Sequence, residues 1–105
     1  MASSQIKTYQ LSEAADQDLE LILEYSISNF GLDRAAEYLI TFESLFMLLV
    51  NNNDLGNKRD EIKKGLRSIR KESHIVFYRL KDEYILIVRV LHVSRDFPSH
   101  FMQDE

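Results

Sequence analysis

Three kinds of hydrophobic spacing follow one another along this chain, and each predicts a different element. Residues 6–11 mix β-branched and aromatic side chains, with Tyr9 and Leu11 on one side, which predicts a short strand. Next, Ala15, Leu19, Ile22, Leu23, Ser26, Ile27 and Phe30 recur at spacings of three and four, the period of an amphipathic helix of about five turns. Ser12 stands where an N-cap belongs, and Glu13, Asp16 and Asp18 put negative charge at the positive end of the helix dipole. Gly31 is expected to end this helix and Asp33 to cap a second. The second stripe, Ala35, Tyr38, Leu39, Phe42, Leu45, Phe46 and Leu49, is the cleanest period in the chain. So short a join predicts an antiparallel helical hairpin, closed by the polar turn at 51–56.

Beyond Ile62 the period falls to two, with runs at 66–70, 75–80 and 84–92 joined by short charged connections. Neighbouring strands with such loops form antiparallel hairpins, so this half is expected to be a three-stranded meander. The fold class that results is α+β, in the order β-α-α-β-β-β: an N-terminal helical hairpin packed on a small antiparallel sheet to which the first strand adds. If the two tight turns centre near Glu72 and Asp82, the odd-numbered residues share a face. Arg67, Arg79 and Arg89 then stand together on the side away from the helices, while Leu66, Val76, Tyr78, Leu80, Leu86, Val88 and Val90 face the core. A slip of one residue in either hairpin disperses the arginines.

Length and charge narrow the function. One domain is expected over the 105 residues, with 1–5 and 103–105 flexible, and the 45% hydrophobic share is that of a folded chain. A domain of this size hides only about two thirds of its unfolded surface, which leaves little room for a deep cofactor cleft. Having no Cys, the chain makes no disulfide, iron-sulfur cluster or thiolate zinc site, and its three His do not recur at metal-ligand spacing. No cofactor is expected. No apolar run approaches the roughly 18 residues that span a bilayer, so a cytoplasmic protein with no membrane partner is expected. The net charge of -4 is unevenly spread: residues 1–56 carry nine acids and two bases, whereas 58–95 carry eleven bases and five acids. That asymmetry suits two faces with different partners.

Two apolar surpluses stand outside the core pattern. Leu21, Leu23, Ile40, Met47, Leu48 and Val50 lie off or beside the helical stripes, and one face cannot bury them all. The segment 93–102 gathers Phe97, Pro98, Phe101 and Met102 behind Arg95, too short a stretch to form its own core.

Several of these segments resemble a known family. The pattern Leu19-x-x-Ile22-x-x-Tyr25-Ser26, the join Phe30-Gly31 and Ala35-x-x-Tyr38 are similar to the N-terminal half of ParE toxins, within the ParE/RelE superfamily. Gly65-Leu66-Arg67-Ser68, the run from Ser73 to Arg79, and Ile87 to His92 followed by Arg95-Asp96 continue the likeness, in order, over roughly residues 6–101. Phe30 stands where these toxins usually carry Trp. The resemblance implies the toxic half of a type II toxin-antitoxin pair that acts on DNA gyrase by stabilising cleaved DNA, with no enzymatic chemistry of its own. A ParD-like antitoxin encoded beside it would hold it silent, and DNA would be met only through antitoxin or gyrase.

On that resemblance, Arg67, Arg79, Arg95, Phe97 and Phe101 are the expected target contacts. Leu21, Ile40, Met47, Leu48 and Val50 are expected to form a groove for an amphipathic antitoxin helix, with Lys58, Arg59, Lys63 and Lys64 meeting its acids. The RelE relatives imply an alternative, ribosome-dependent cleavage of messenger RNA, and a non-toxic homologue that only binds antitoxin is a third reading. Metal-free RNA cleavage needs a base, an acid and cations to hold the phosphate. Arg67, Arg79 and Arg89 supply candidate cations and His92 a candidate acid or base. The tail offers only phenyl rings in Phe97 and Phe101, which transfer no proton, and the acidic balance disfavours ribosome binding. The arginines have a structural reading as well, with stems over apolar sheet and heads on carboxylates or carbonyls.

Overall fold

The structure, a computed structural model, describes residues 5–94. Seven elements follow in order: β1 (Thr8–Leu11), α1 (Glu13–Phe30), α2 (Leu32–Asn51), β2 (Asn57–Lys58), β3 (Arg67–Lys71), β4 (His74–Leu80) and β5 (Tyr84–His92). Two helices pack on one face of a five-stranded mixed sheet of order β1-β5-β4-β3-β2, so the expected α+β class holds. The meander β3-β4-β5 is antiparallel throughout. β1 joins it parallel to β5, because the helical hairpin between them returns the chain to the same end of the sheet. The two-residue β2, inside the connection expected to be a plain loop, covers part of the opposite edge.

Ser12 begins α1 as its sequence position suggests. Its hydroxyl accepts the Ala15 N–H at 2.9 Å and donates to the Val88 carbonyl at 2.7 Å, while its own N–H donates to the Ile87 carbonyl. The helix is thus capped and tied to β5 by one residue. Gly31 serves both helices: its N–H donates to Ile27, its carbonyl accepts from Ala35, and its φ of +91° lets the chain reverse within a single residue. Asp33 therefore lies inside the first turn of α2 and is not its cap.

The sheet's parity differs from the sequence reading. Both hairpins close through two-residue turns, Glu72-Ser73 and Asp82-Glu83, so Arg67 faces Tyr78 and Leu80 faces Ile85. A turn centred on one residue would have paired odd with odd; an even turn moves each facing set by one. A bulge then skips Val88, with Tyr78 opposite Ile87 but Phe77 opposite Arg89. Tyr78, Val76, Ile85, Ile87 and Val90 accordingly join Phe42, Phe46 and Leu49 in the helix-facing core. Leu66, Phe77, Val88 and Leu91 form a second cluster on the other face. The expected inward positions of Leu66, Leu86 and Val88 are reversed, and the three arginines do not share a side: Arg67, opposite Tyr78, is on the helix side, whereas Arg79, opposite Leu86, and Arg89, opposite Phe77, are on the other.

Arg89 lies at the bulge, and its guanidinium reaches the carboxylate of Asp18 on α1. Its Nε and a terminal nitrogen donate to the two carboxylate oxygens of Asp18 at 2.8 and 2.9 Å, and the Val90 N–H donates to the same carboxylate at 2.9 Å. Asp18 is 9% exposed, so the pair is largely desolvated and every lone pair it satisfies matters. At the far end of the sheet, the Tyr78 hydroxyl accepts the Gly56 N–H at 2.9 Å and donates to the Asn53 carbonyl at 3.1 Å, fixing the turn after α2. A side chain at Gly56 would meet the Ser68 carbonyl at 2.5 Å, so glycine is required by close approach. Asp18→Ala is expected to lower unfolding free energy by about 3 kcal/mol, since it takes the carboxylate from the partly buried Arg89 guanidinium and leaves the buried Val90 N–H without its acceptor. Urea denaturation measures this, and a loss below about 1 kcal/mol would mean that the pair is solvated.

Candidate functional site

The hairpin carries more apolar surface than the sheet covers. Along α1, Leu21 is 61%, Tyr25 66% and Phe30 61% exposed, and Leu32 at the start of α2 is 66% exposed. Leu21 and Tyr25 are four apart and so adjoin on one helical face, with Ile22 and Ser26 beside them. Between this face and the end of the sheet runs an open groove of about 780 Å³. Its other wall is polar and aromatic: Tyr38 and Arg34 from α2, Glu72 and Ser73 from the β3–β4 turn, His74 from β4 and His92 from β5.

Cross-strand pairing builds that wall. Lys71 faces His74, and His74 faces His92, so three side chains line up on the helix side of the sheet where the strands end. The two imidazoles meet edge to face with ring centroids 5.5 Å apart, and His74 stands edge-on to Phe42. The His74 Nδ1 lies 3.3 Å from the Tyr38 hydroxyl. The Lys71 ammonium rests over the Tyr38 and Phe42 rings, 4.8 and 5.1 Å from their centroids. Burial, then the neighbouring His92 and Lys71 charges, hold the His74 pKa below its ordinary value of 6.5. Burial, with Glu72 nearby, pushes the Tyr38 phenol up. His92 accepts the Ser94 N–H on Nδ1 at 3.1 Å, which leaves Nε2 as its donor when neutral. The wall thus sets imidazole and phenol groups beside an ammonium held over rings, between the Arg34 guanidinium and the Glu72 carboxylate. It is suited to hydrogen bonding and apolar contact.

The residues expected to act together are spread out. The Arg67 head donates to the carbonyls of Asp54 and Gly56 at 3.2 and 2.8 Å, holding the turn after α2. Arg79 donates to the Lys64 carbonyl at 2.8 Å on the opposite face. Arg89 is clasped by Asp18, and His92 lies at the groove. Arg95, Phe97 and Phe101 lie outside the described residues.

Of the expected antitoxin contacts, Leu21, Ile40, Met47 and Leu48 are exposed. Val50 is a correction. It follows Phe46 by four residues, which turns it onto the core face, and it is 6% exposed within the helix-facing core. Lys58 and Lys64 are exposed, whereas Arg59 is tied to Glu61 at 2.7 Å and to Ser68 at 3.0 Å, with its head over Phe77. Lys58 is on β2, three strands from the β5 against which α1 packs, so the basic residues do not rim the groove at Leu21. The sequence reading left out the groove's own residues. Tyr38 and Phe30 stand in the stripes expected to be core, and His74 has no role in the sequence pattern. The legible signal was Leu21 and Tyr25, two large apolar side chains four apart off the stripe.

The hollow between helix hairpin and sheet, the uncovered apolar face and the dispersed cations define a small α+β protein that presents binding surfaces. Among the described residues no three His, Asp or Glu side chains gather as metal ligands, and no helix is long and apolar enough to cross a membrane. The family model described as ParE toxin of type II toxin-antitoxin system, parDE, matches residues 9–97, and the chain belongs to that family. Toxin ParE1 of Caulobacter vibrioides is 32% identical over 95 residues, covering 90% of this chain and 98% of the relative. Toxin ParE1 of Mycobacterium tuberculosis is 36% identical over 89 residues, covering 84% and 91%. A chain of the chromosomal ParDE system from P. aeruginosa shares the fold, with a TM-score of 0.73 at 20% identity over 86% of this chain and 98% of that one. A chain of the E. coli DinJ-YafQ complex is more distant, with a TM-score of 0.52 at 20% identity over 89% and 99%.

The half-buried His74 gives the fold a pH dependence of definite sign. A histidine whose folded pKa is depressed binds fewer protons than the unfolded chain, so stability is full above about pH 6.5 and falls as the pH drops toward the depressed value. Subtracting the His74→Phe profile from that of the wild type between pH 7.5 and 5 is expected to leave a destabilisation on acidification. A flat difference would place His74 in solvent.

Proposed function

We propose that this ParE-type toxin works by binding: free, it engages DNA gyrase and stabilises cleaved DNA; silenced, it is held by a ParD-like antitoxin. The observation that carries this reading is the commitment of each candidate cation to a different structural partner. Cleaving RNA without a metal requires cations converging on one phosphate, with acid and base within hydrogen-bond reach. Here Arg67 holds a turn, Arg79 a loop on the other face, and Arg89 a buried carboxylate. Drawing any of them to a phosphate would break the contact that positions it. The uncovered faces of the hairpin, by contrast, offer the aromatic and aliphatic anchors that dominate protein interfaces.

The antitoxin surface we assign is the α1 groove with Leu21, Tyr25 and Phe30, continued onto Ile40, Met47 and Leu48 of α2. The target surface we assign is the other side of the sheet, where Arg79 stands, together with the tail residues Arg95, Phe97 and Phe101. Among the described residues, Arg79 stands on the face of the sheet opposite the helices, away from the α1 groove. Purified chain added to gyrase with supercoiled plasmid is expected to accumulate linear, protein-linked DNA and to leave messenger RNA intact in a translation extract. Intact supercoiling with clipped messenger would reverse the assignment in favour of a RelE-like nuclease, and neither effect would leave an antitoxin-binding homologue.

A further inference from the structure

Among the described residues, Glu72 is the one non-glycine with positive φ, +56°. It is the first residue of the two-residue turn joining β3 to β4, a place where hairpins of this length take Gly, Asn or Asp because a longer side chain in left-handed backbone costs stability. Its backbone carbonyl accepts the Arg70 Nε at 2.7 Å, a contact that any residue at this position would make. Its carboxylate is exposed and lies 3.6 Å from Lys71, an ammonium already held over the Tyr38 and Phe42 rings. Nothing inside the fold therefore calls for a carboxylate at 72, yet its side chain stands at the mouth of the α1 groove.

On the α1 side the charge has the same sign: α1 contains no basic residue, and Glu20 and Glu24 flank Leu21 on its exposed side. The cation that lines the groove, Arg34, stands on the α2 side. A segment lying against Leu21, Tyr25 and Phe30 thus has acids along one margin and Glu72 at its end. An acidic segment would be repelled there, and a purely apolar one would leave these carboxylates facing a low-dielectric contact.

The geometry points to Glu72 as a specificity residue, whose carboxylate receives a lysine or arginine from an amphipathic antitoxin segment lying apolar side down in the α1 groove. This rests on the antitoxin reading above and reverses the charge expected from the basic residues near Lys58. The strained backbone is retained because a carboxylate at that turn selects the partner.

Two substitutions separate charge from backbone. Glu72→Asp keeps the carboxylate and Glu72→Asn removes it, while both residues tolerate left-handed backbone better than Glu. The probe is the protein encoded by the reading frame adjoining this chain's gene, titrated calorimetrically into full-length chain at 50 and 300 mM NaCl. Both variants are expected to melt a few degrees higher than wild type when free. E72D should bind within about threefold of wild type, whereas E72N should bind tenfold or more weakly, with a flatter salt dependence. E72N binding as tightly as wild type would overturn the inference and leave the antitoxin reading standing, as would equal weakening by both variants. A free chain that dimerises as wild type but not as E72N would assign the groove to a second copy instead. Absence of any complex with the probe would overturn both readings.

Discussion

The clasp of Asp18 on Arg89 and the Val90 N–H is the interaction on which the arrangement depends. It joins α1 to β5 at the bulge where β5 changes parity, so one carboxylate fixes both the height of the helix on the sheet and which side chains face it. Ser12 makes a second tie at the start of the same helix, to Ile87 and Val88. Between them the exposed edge of α1 is set opposite the strand ends, and the groove exists because that edge cannot rotate inward. A charge pair this dry earns its place by fixing geometry more than by net energy, since apolar residues of similar volume often stabilise as well.

That constraint explains what the sequence could and could not disclose. The helices were legible because seven apolar positions each at a 3.6-residue period are hard to imitate, and Ser12 was legible because capping is local. The order of elements followed from these and from the alternation in β4 and β5. Parity was not legible, because it turns on whether a connection holds an even or odd number of residues and on a bulge that one skipped position, Val88, creates. The Asp18–Arg89 pair spans 71 positions and has no local signature. Removing the imagined cluster of arginines changes the basis of the functional argument: binding no longer follows from gathered charge but from cations that are already engaged.

The same features place recognition on the helical hairpin. Val50 shows how easily an off-stripe residue is misplaced: a helix that buries 46, 49 and 50 presents a wider core face than its clean stripe suggests. What remains outside, Leu21, Tyr25 and Phe30 on one side and Ile40, Met47 and Leu48 on the other, is apolar surface that the isolated chain leaves uncovered. In the wall opposite α1, burial holds the His74 pKa below and the Tyr38 pKa above their ordinary values, so both groups offer hydrogen bonds beside the charges of Arg34 and Glu72.

Hydrogen–deuterium exchange on the full chain, alone and in complex with the product of the adjoining reading frame, tests the central claim most directly. The account predicts new protection over residues 21–34 and at the 71–74 turn, with the 57–66 connection unchanged. Protection confined to 57–66, where basic residues stand on the far edge of the sheet, would contradict it.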